Sequence, residues 1–154
     1  MSVRILFIIP TLSSAYHQNR VNELLKLGAN CSVTGFQRDY YKGKKWEAPV
    51  NSLGYVEHGN YLKRMKTLLK SIPSIRKQSN SIDAVVCFNL DLLIITWLGL
   101  FGMKKKPKLI YDVGDIRSVL MEKGAFSFLL RQIEKFLLNR IHLLIITSQA
   151  YLDE

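Results

Sequence analysis

Short apolar runs alternate along the chain with longer segments whose apolar residues recur at helical spacing. The six runs are residues 3–9, 31–36, 53–57, 84–88, 108–112 and 143–147. A continuous β-branched and apolar run is typical of a parallel strand that is buried on both faces. The pattern therefore predicts six strands, of which residues 53–57 form the weakest.

The segments between these runs predict helices. Their apolar residues at helical spacing are Val21, Leu24 and Leu25, then Tyr61, Met65, Leu68 and Ile72, then residues 92–101, and then Phe126, Leu129, Leu130, Ile133 and Leu137. Gly28 suits the residue after a helix, and Pro73 is expected to bend or end the second helix. Alternating strands and helices form βαβ units with right-handed crossovers. The chain is therefore predicted to be α/β: a Rossmann-like, doubly wound, mainly parallel sheet with helices on both faces and strand order 3-2-1-4-5-6.

Composition fits one folded domain with an anionic partner. The chain has 154 residues, of which 48% are hydrophobic, so it can bury a core. Its formal net charge of +10 favours phosphates, nucleic acid or a lipid surface as the partner. Because no nucleic-acid-binding motif accompanies the charge, we expect no nucleic-acid partner.

Several classes of protein are disfavoured. Cys31 and Cys87 each lie in an apolar run, and no second Cys or His has zinc spacing, so we expect buried thiols and no metal. The run before Pro10 is shorter than the core of a signal peptide, and residues 90–103 are too few to span a bilayer. These features favour a cytoplasmic protein.

The end of the chain predicts one more helix. Ser148 is a suitable N-cap for a helix that begins at Gln149, but the chain ends at Glu154. Because so short a helix is unstable alone, we expect residues 1–154 to be a cut chain or the first half of a larger protein.

The loop after the first strand is one candidate for ligand binding, because ligands of open α/β sheets bind beyond the carboxyl ends of the strands. Thr11, Ser13 and Ser14 lie there, and neither the dinucleotide glycine fingerprint nor a P-loop is present, which disfavours NAD and FAD. The hydroxyls can bind an anion at the start of the helix or merely cap it. His17, one turn later, is a candidate donor or base, or a structural residue.

Residues 112–117 contain two carboxylates and one guanidinium directly after a predicted strand. Asp115 can accept a proton from a hydroxyl, and Arg117 can bind a phosphate or a sugar. The alternative is a capping aspartate with an ordinary ion pair. Asn89 and Ser148, which follow the fourth and sixth strands, complete the candidate substrate-binding residues.

A row of basic residues is predicted on the second helix. Lys63, Lys66 and Lys70 share one face, with Arg64 beside them, and residues 104–106 form a separate basic turn. Such a row is either a solvated surface or a patch that binds anionic lipid.

The chain as a whole resembles a known family. The segments that carry the resemblance are residues 4–10, Arg20-Val21, Leu27-Gly28, and residues 33–38, 83–86, 111–117 and 133–148. In this order they are similar to the N-terminal half of GT-B-fold glycosyltransferases of the family-4 type. Ser13-Ser14 replaces a glycine pair of that family, Gly114-Asp115 replaces His-Asp, and His142 replaces an aspartate. Asp115 is thus the candidate catalytic residue.

The resemblance implies an acceptor-side domain whose C-terminal partner domain, absent from this chain, binds the nucleotide sugar. Such enzymes are typically retaining and metal-independent, and many use lipid-linked acceptors at the inner membrane face. We therefore expect a nucleotide-sugar donor as co-substrate, no other cofactor, and a glycan or lipid-linked acceptor. An anionic membrane surface is a further expected partner, and the fragment alone is expected to be inactive.

Two other functions remain open from the sequence. The chain can be a stand-alone Rossmann-like module that binds a small phosphorylated ligand. It can also be a noncatalytic adaptor at a membrane surface.

Overall fold

Six strands and four helices form the part of the chain that the computed structural model describes, which is residues 2–38, 45–56, 61–113 and 124–146, with the Tyr61 and Leu62 side chains left out. The strands are β1 (Arg4–Ile9), β2 (Asn30–Gln37), β3 (Val50–Tyr55), β4 (Ala84–Phe88), β5 (Lys108–Val113) and β6 (Leu143–Ile146). The helices are α1 (Ala15–Lys26), α2 (Tyr61–Ser79), α3 (Leu90–Leu100) and α4 (Ala125–Leu138).

All six strands are parallel and follow the order β3-β2-β1-β4-β5-β6, so the predicted topology is confirmed. From β1, the next two strands, β2 and β3, are added toward one edge of the sheet. After α2 the chain returns to the centre, and β4, β5 and β6 are added toward the other edge. The strand order therefore reverses between β1 and β4, where Phe7 lies in register with Val86. This is the position at which open α/β sheets leave a crevice for a ligand.

Helices cover both faces of the sheet, as two successive side chains of β5 show. Tyr111 hydrogen bonds to Glu134 of α4, while the next residue, Asp112, forms an ion pair with Arg20 of α1. Because successive side chains of a strand point to opposite faces, α1 and α4 lie on opposite sides.

The core is densest at the two central strands. Ile8, Ile9 and Val85 have no exposed surface, which explains why both strands have continuous apolar sequences. Cys31 and Cys87 are buried free thiols as predicted, and burial raises the pKa of Cys87 to about 12.

Pro73 lies inside α2, which continues to Ser79. Of the two predicted outcomes, a bend or a helix end, the helix end is therefore wrong. Pro73 is exposed, so water can satisfy the carbonyl that loses its intrahelical partner. Leu68 and Ile75, on either side, are both buried and fix the two halves of the helix to the core. Tertiary packing therefore outweighs the local cost of the proline.

A smaller difference concerns β3, whereas the expectation that residues 90–103 do not span a bilayer agrees with the structure. β3 begins three residues before the predicted start, because Val50 pairs with Val33 of β2. None of the helices in the described ranges combines the length and apolar character that a bilayer crossing requires.

Candidate binding site at the carboxyl edge of the sheet

The loop between β1 and α1 is fixed by backbone contacts from two other parts of the chain. The Leu12 N–H donates to the carbonyl of Phe36 at 2.9 Å, and the Trp46 indole N–H donates to the carbonyl of Leu12 at 2.8 Å. The hydroxyls of Thr11 and Ser13 lie 2.9 Å apart and share a hydrogen bond. The predicted hydroxyl-bearing loop is thus held in place at the carboxyl end of β1.

Ser14 is the N-cap of α1. Its hydroxyl oxygen accepts a long hydrogen bond of 3.5 Å from the His17 backbone N–H, so the capping role expected as an alternative is present. The first turn of α1 contains no acidic residue that would neutralise the positive end of the helix dipole. This helix end, beside Thr11 and Ser13, suits an anionic group.

His17 lies against the end of β4. Its ring meets the Phe88 ring edge-on, with centroids 4.2 Å apart, and only 8% of the residue is exposed. Burial lowers the pKa of His17 to about 4, with a further contribution from the charge of Arg20, so the imidazole is neutral at neutral pH. Its Nδ1 is buried and has no hydrogen-bond partner in the described part of the chain. A neutral histidine can donate one hydrogen bond and accept another, but it does not supply positive charge.

Asn89 is the most strained residue of this edge. It precedes α3 with φ 69° and ψ 152°, a backbone region that is essentially restricted to glycine, and its side chain makes no capping hydrogen bond. Strain of this kind costs about 1–3 kcal/mol and clusters at ligand sites. Asn89 thus lies next to the reversal point of the sheet, and its carboxamide does not cap α3.

Arg20 and Asp112 form an ion pair that the sequence analysis missed. Arg20 Nη1 lies 2.9 Å from Asp112 Oδ2, and the aspartate side chain has no exposed surface. Burial raises the pKa of Asp112, and the charge of Arg20 opposes this shift. A second contact, from the Arg20 guanidinium to the Tyr16 hydroxyl at 2.6 Å, holds the arginine along α1. One signal was available: a carboxylate inside a strand that is buried on both faces requires a cation partner.

The basic residues of α2 divide into two groups. Lys63, Lys66 and Lys70 are exposed, as the predicted row requires. Arg64 instead forms an ion pair with Asp91 of α3 and is largely buried, so it does not belong to the exposed row. Its role is to join α2 to the first turn of α3, next to Asn89.

Three predicted site residues, Asp115, Arg117 and Ser148, lie outside the described residues. Within the described ranges, no group of three or more His, Cys, Asp or Glu side chains is placed to hold a metal ion. The residues that the structure does bring together are the hydroxyl loop, the start of α1, His17 and Asn89. They combine hydroxyls, an amide, a neutral imidazole and a helix N-terminus, which suits a ligand with both hydroxyl and anionic groups.

The sequence was also compared with known proteins. No protein-family model matches the chain. The chain is similar to the succinoglycan biosynthesis protein ExoL of Rhizobium meliloti (strain 1021), with 22% identity over 159 aligned residues. The aligned region covers 98% of this chain and 38% of that protein, so the chain spans well under half the length of this relative.

Proposed function

We propose that this chain takes part in glycan biosynthesis as the acceptor-binding half of a glycosyltransferase. The complete enzyme transfers a sugar from a nucleotide-sugar donor to a glycan or lipid-linked acceptor. Similarity to a succinoglycan biosynthesis protein along nearly the whole chain supports the coarser part, a role in glycan biosynthesis. The family resemblance and the carboxyl-edge site support the finer part.

The observation that carries the proposal is the strained Asn89 at the reversal point of the sheet. Glycine would adopt this backbone conformation at little cost, so a carboxamide at this position costs stability. A carboxamide offers both donors and an acceptor, which is the chemistry that sugar hydroxyls require. Asn89 is therefore assigned to the acceptor sugar.

The neighbouring groups take complementary roles. The N-terminus of α1, with Thr11 and Ser13 beside it, faces an anionic group such as a phosphate of the acceptor or donor. Neutral His17 provides a hydrogen bond without a charge. The buried pair of Arg20 and Asp112 fixes α1 against β5 and so keeps the edge of the site rigid.

The proposal includes parts beyond the described residues. Asp115 remains the candidate catalytic base and Arg117 a candidate acceptor ligand, both by residue type and position after β5. A second domain supplies the nucleotide-sugar site, and no further cofactor is needed.

The test exchanges Asn89 for glycine in the full-length protein and measures transfer of labelled sugar from a panel of nucleotide sugars to a bacterial lipid extract. Asn89→Gly should raise the free energy of unfolding by about 1 kcal/mol because the strain disappears, yet lower transfer about tenfold or more. Ser81→Gly is the matched control, since Ser81 also has a positive φ, 66°, but lies exposed in the turn before β4. It should raise stability and leave transfer unchanged.

Two outcomes would contradict the proposal. Unchanged transfer by Asn89→Gly would reduce Asn89 to a turn residue. Absence of transfer with every donor, together with tight binding of a small phosphorylated compound, would favour the stand-alone binding module.

A further inference from the structure

A pocket of about 300 Å³ opens at the amino edge of the sheet, at the opposite end of the strands from the candidate site. It lies between the end of α3, the turn that leads into β5, and the segment between α4 and β6. Its polar and aromatic lining consists of Trp97, Phe101, Lys106, Arg140 and His142. The floor is formed by aliphatic side chains at the ends of α3 and β5.

The lining is cationic. Among the described residues that line the pocket, none is acidic, whereas Lys106 and Arg140 both carry positive charge. His142 adds a donor: its Nδ1 accepts a hydrogen bond of 3.2 Å from the Leu109 N–H, which leaves the proton of the neutral ring on Nε2. Arg140 donates from Nη1 to the Phe136 carbonyl at 2.8 Å and keeps its other N–H groups. Lys106, Arg140 and His142 thus line a pocket whose described lining contains no acidic residue, which suits a phosphate group.

The rim of the pocket is apolar and exposed. Phe101 is 63% exposed, Phe136 is 44% exposed, and Leu98 is 39% exposed. Trp97 contacts both phenyl rings, with centroid distances of 5.6 Å to each, so the rim is a preformed aromatic cluster. Lys106 and Arg140 lie over the Phe101 and Phe136 rings, at 5.9 Å and 3.4 Å from their centroids.

We propose that this pocket binds the phosphate headgroup of an anionic phospholipid and that its aromatic rim enters the headgroup region of a bilayer. Aromatic rings beside lysine and arginine are typical of surfaces at a membrane interface, because the rings are apolar and the cations reach phosphates. Charge complementarity favours this occupant, since Lys104, Lys105 and Lys108 are exposed around the same edge. The inference does not depend on the proposed function, because the pocket and the candidate site lie at opposite ends of the strands and share no residue.

The basic row of α2 is the competing membrane contact. Lys66 and Lys70 are exposed, but the aromatic rings of the amino edge have no counterpart beside them among the described residues of α2. Leu69 is 51% exposed beside this row, but the row has no aromatic ring among its described side chains, so its contribution should fall more steeply with salt. The pocket combines charge with apolar contact, so part of its binding should persist.

The first experiment measures co-sedimentation of the chain with vesicles of phosphatidylcholine containing about 30 mol% phosphatidylglycerol, and with phosphatidylcholine alone. We expect binding to the anionic vesicles and little to the neutral ones. Lys106→Gln/Arg140→Gln should weaken anionic binding about tenfold or more. The matched control, Lys66→Gln/Lys70→Gln, removes the same charge from α2 and should weaken it less than threefold, roughly.

Phe101→Ala is the second variant, because an exposed ring can be removed without disturbing the fold. It should leave binding at low salt nearly intact and abolish the part that persists at about 1 M salt. The difference between binding at low salt and binding at high salt therefore distinguishes apolar insertion from charge attraction.

Trp97 provides a direct reporter. The chain has two tryptophans, so Trp46→Phe leaves Trp97 as the single indole. Its fluorescence should be quenched by anionic vesicles that contain brominated acyl chains, and much less after Lys106→Gln/Arg140→Gln.

The proposal is overturned by any of three results. These are equal loss of binding in the α2 control, an unquenched Trp97 in vesicle-bound protein, and absence of binding to anionic vesicles. Equal loss would mean that binding depends on net charge and not on the pocket. Absence of vesicle binding combined with capture of an acidic peptide would assign the pocket to a protein partner.

Discussion

The two edges of the sheet each carry an arginine–aspartate pair, and the pairs differ in burial. At the carboxyl edge, Asp112 has no exposed side-chain surface, and burial raises its pKa despite Arg20. At the amino edge, Asp83 is partly exposed and accepts three hydrogen bonds from Arg4, two from the guanidinium and one from the backbone N–H. The side-chain bond to Arg4 is the largest of the causes that lower the pKa of Asp83.

The contrast extends to the rest of each edge. At the carboxyl edge, His17 has a buried Nδ1 without a hydrogen-bond partner among the described residues, and the partly buried Asn89 has a strained backbone. The amino edge leaves aromatic rings such as Phe101 in solvent. Polar groups that are buried and strained suit a polar ligand, whereas exposed rings among cations suit a large anionic surface. The two proposals therefore assign a polar ligand to the carboxyl edge and a membrane surface to the amino edge.

Removal of Arg20, the cation that pairs with the buried Asp112, should have the largest effect. Arg20→Leu leaves the Asp112 carboxylate buried without a cation, which should lower the free energy of unfolding by about 3 kcal/mol. Arg4→Leu should shift the urea midpoint far less, because Asp83 remains hydrated. Equal shifts in the two variants would break the comparison between the edges. Arg20→Leu/Asp112→Asn should recover most of the loss.

Acid should destabilise the carboxyl edge through His17. The pKa of His17 is lowered to about 4, so below the unfolded-state value of about 6.5 the unfolded chain binds the proton first. Stability attributable to this residue is therefore complete above about pH 6.5 and falls by about 3 kcal/mol as the pH reaches about 4.

His17→Gln checks this assignment in urea titrations between pH 7 and pH 4. The variant should lose much less stability over this range than the natural chain. Asp112 acts with the opposite sign, because its raised pKa makes protonation favourable to the folded state. An identical pH dependence in the two proteins would contradict the role of His17.

Gly35 and Gly102 are both expected to resist substitution, but for different physical reasons. A Cβ on Gly35 would lie 2.6 Å from Ile9 Cγ1 and 2.9 Å from the Ile9 carbonyl oxygen, so Gly35→Ala should cost about 1–3 kcal/mol through packing at the end of β2. Gly102, at the amino edge, has open space but a φ of +70°, so Gly102→Ala should cost about 1 kcal/mol through the backbone.

Asparagine separates these two causes. Asn tolerates a positive φ, so Gly102→Asn should be milder than Gly102→Ala, while Gly35→Asn should be worse than Gly35→Ala. Thermal unfolding of the four variants measures both differences. The reverse ranking at either position would mean that the cause is misassigned.

The smallest effect on stability is expected at the aromatic rim. Phe101→Ala should change the free energy of unfolding by less than about 0.5 kcal/mol, because most of the ring is already in water. A larger loss would mean that the ring stabilises the fold, which would weaken the contrast with the buried residues of the carboxyl edge.

Local patterns were sufficient for most of the fold. The fourth strand was predicted with its observed bounds, and the order of all six strands followed from right-handed crossovers. The third strand was displaced, because Val50 is fixed by pairing with β2 rather than by its own apolar pattern. Of the two outcomes predicted for Pro73, a bend or a helix end, the end is wrong for a similar reason: burial of α2 on either side of it decides the helix length.

The candidate site was only partly predictable. Residue types at strand ends indicated Ser14, His17 and Asn89, because parallel strands bring their carboxyl ends to one edge. The sequence did not reveal that Asn89 is strained, since backbone angles at a strand–helix junction depend on how the helix packs.

By itself, the amino-acid sequence determined the parallel sheet, its order and the basic character of the protein, because burial on both faces and charge are properties of residue type along the chain. Tertiary structure alone decided which charges meet. Arg20 pairs with Asp112, and Arg64 with Asp91, only because α1 crosses to β5 and α2 packs on α3. The amino-edge pocket likewise joins the end of α3 to Arg140 and His142, whose separation in sequence leaves no local pattern. Contacts of this kind depend on three-dimensional proximity, which periodicity does not encode.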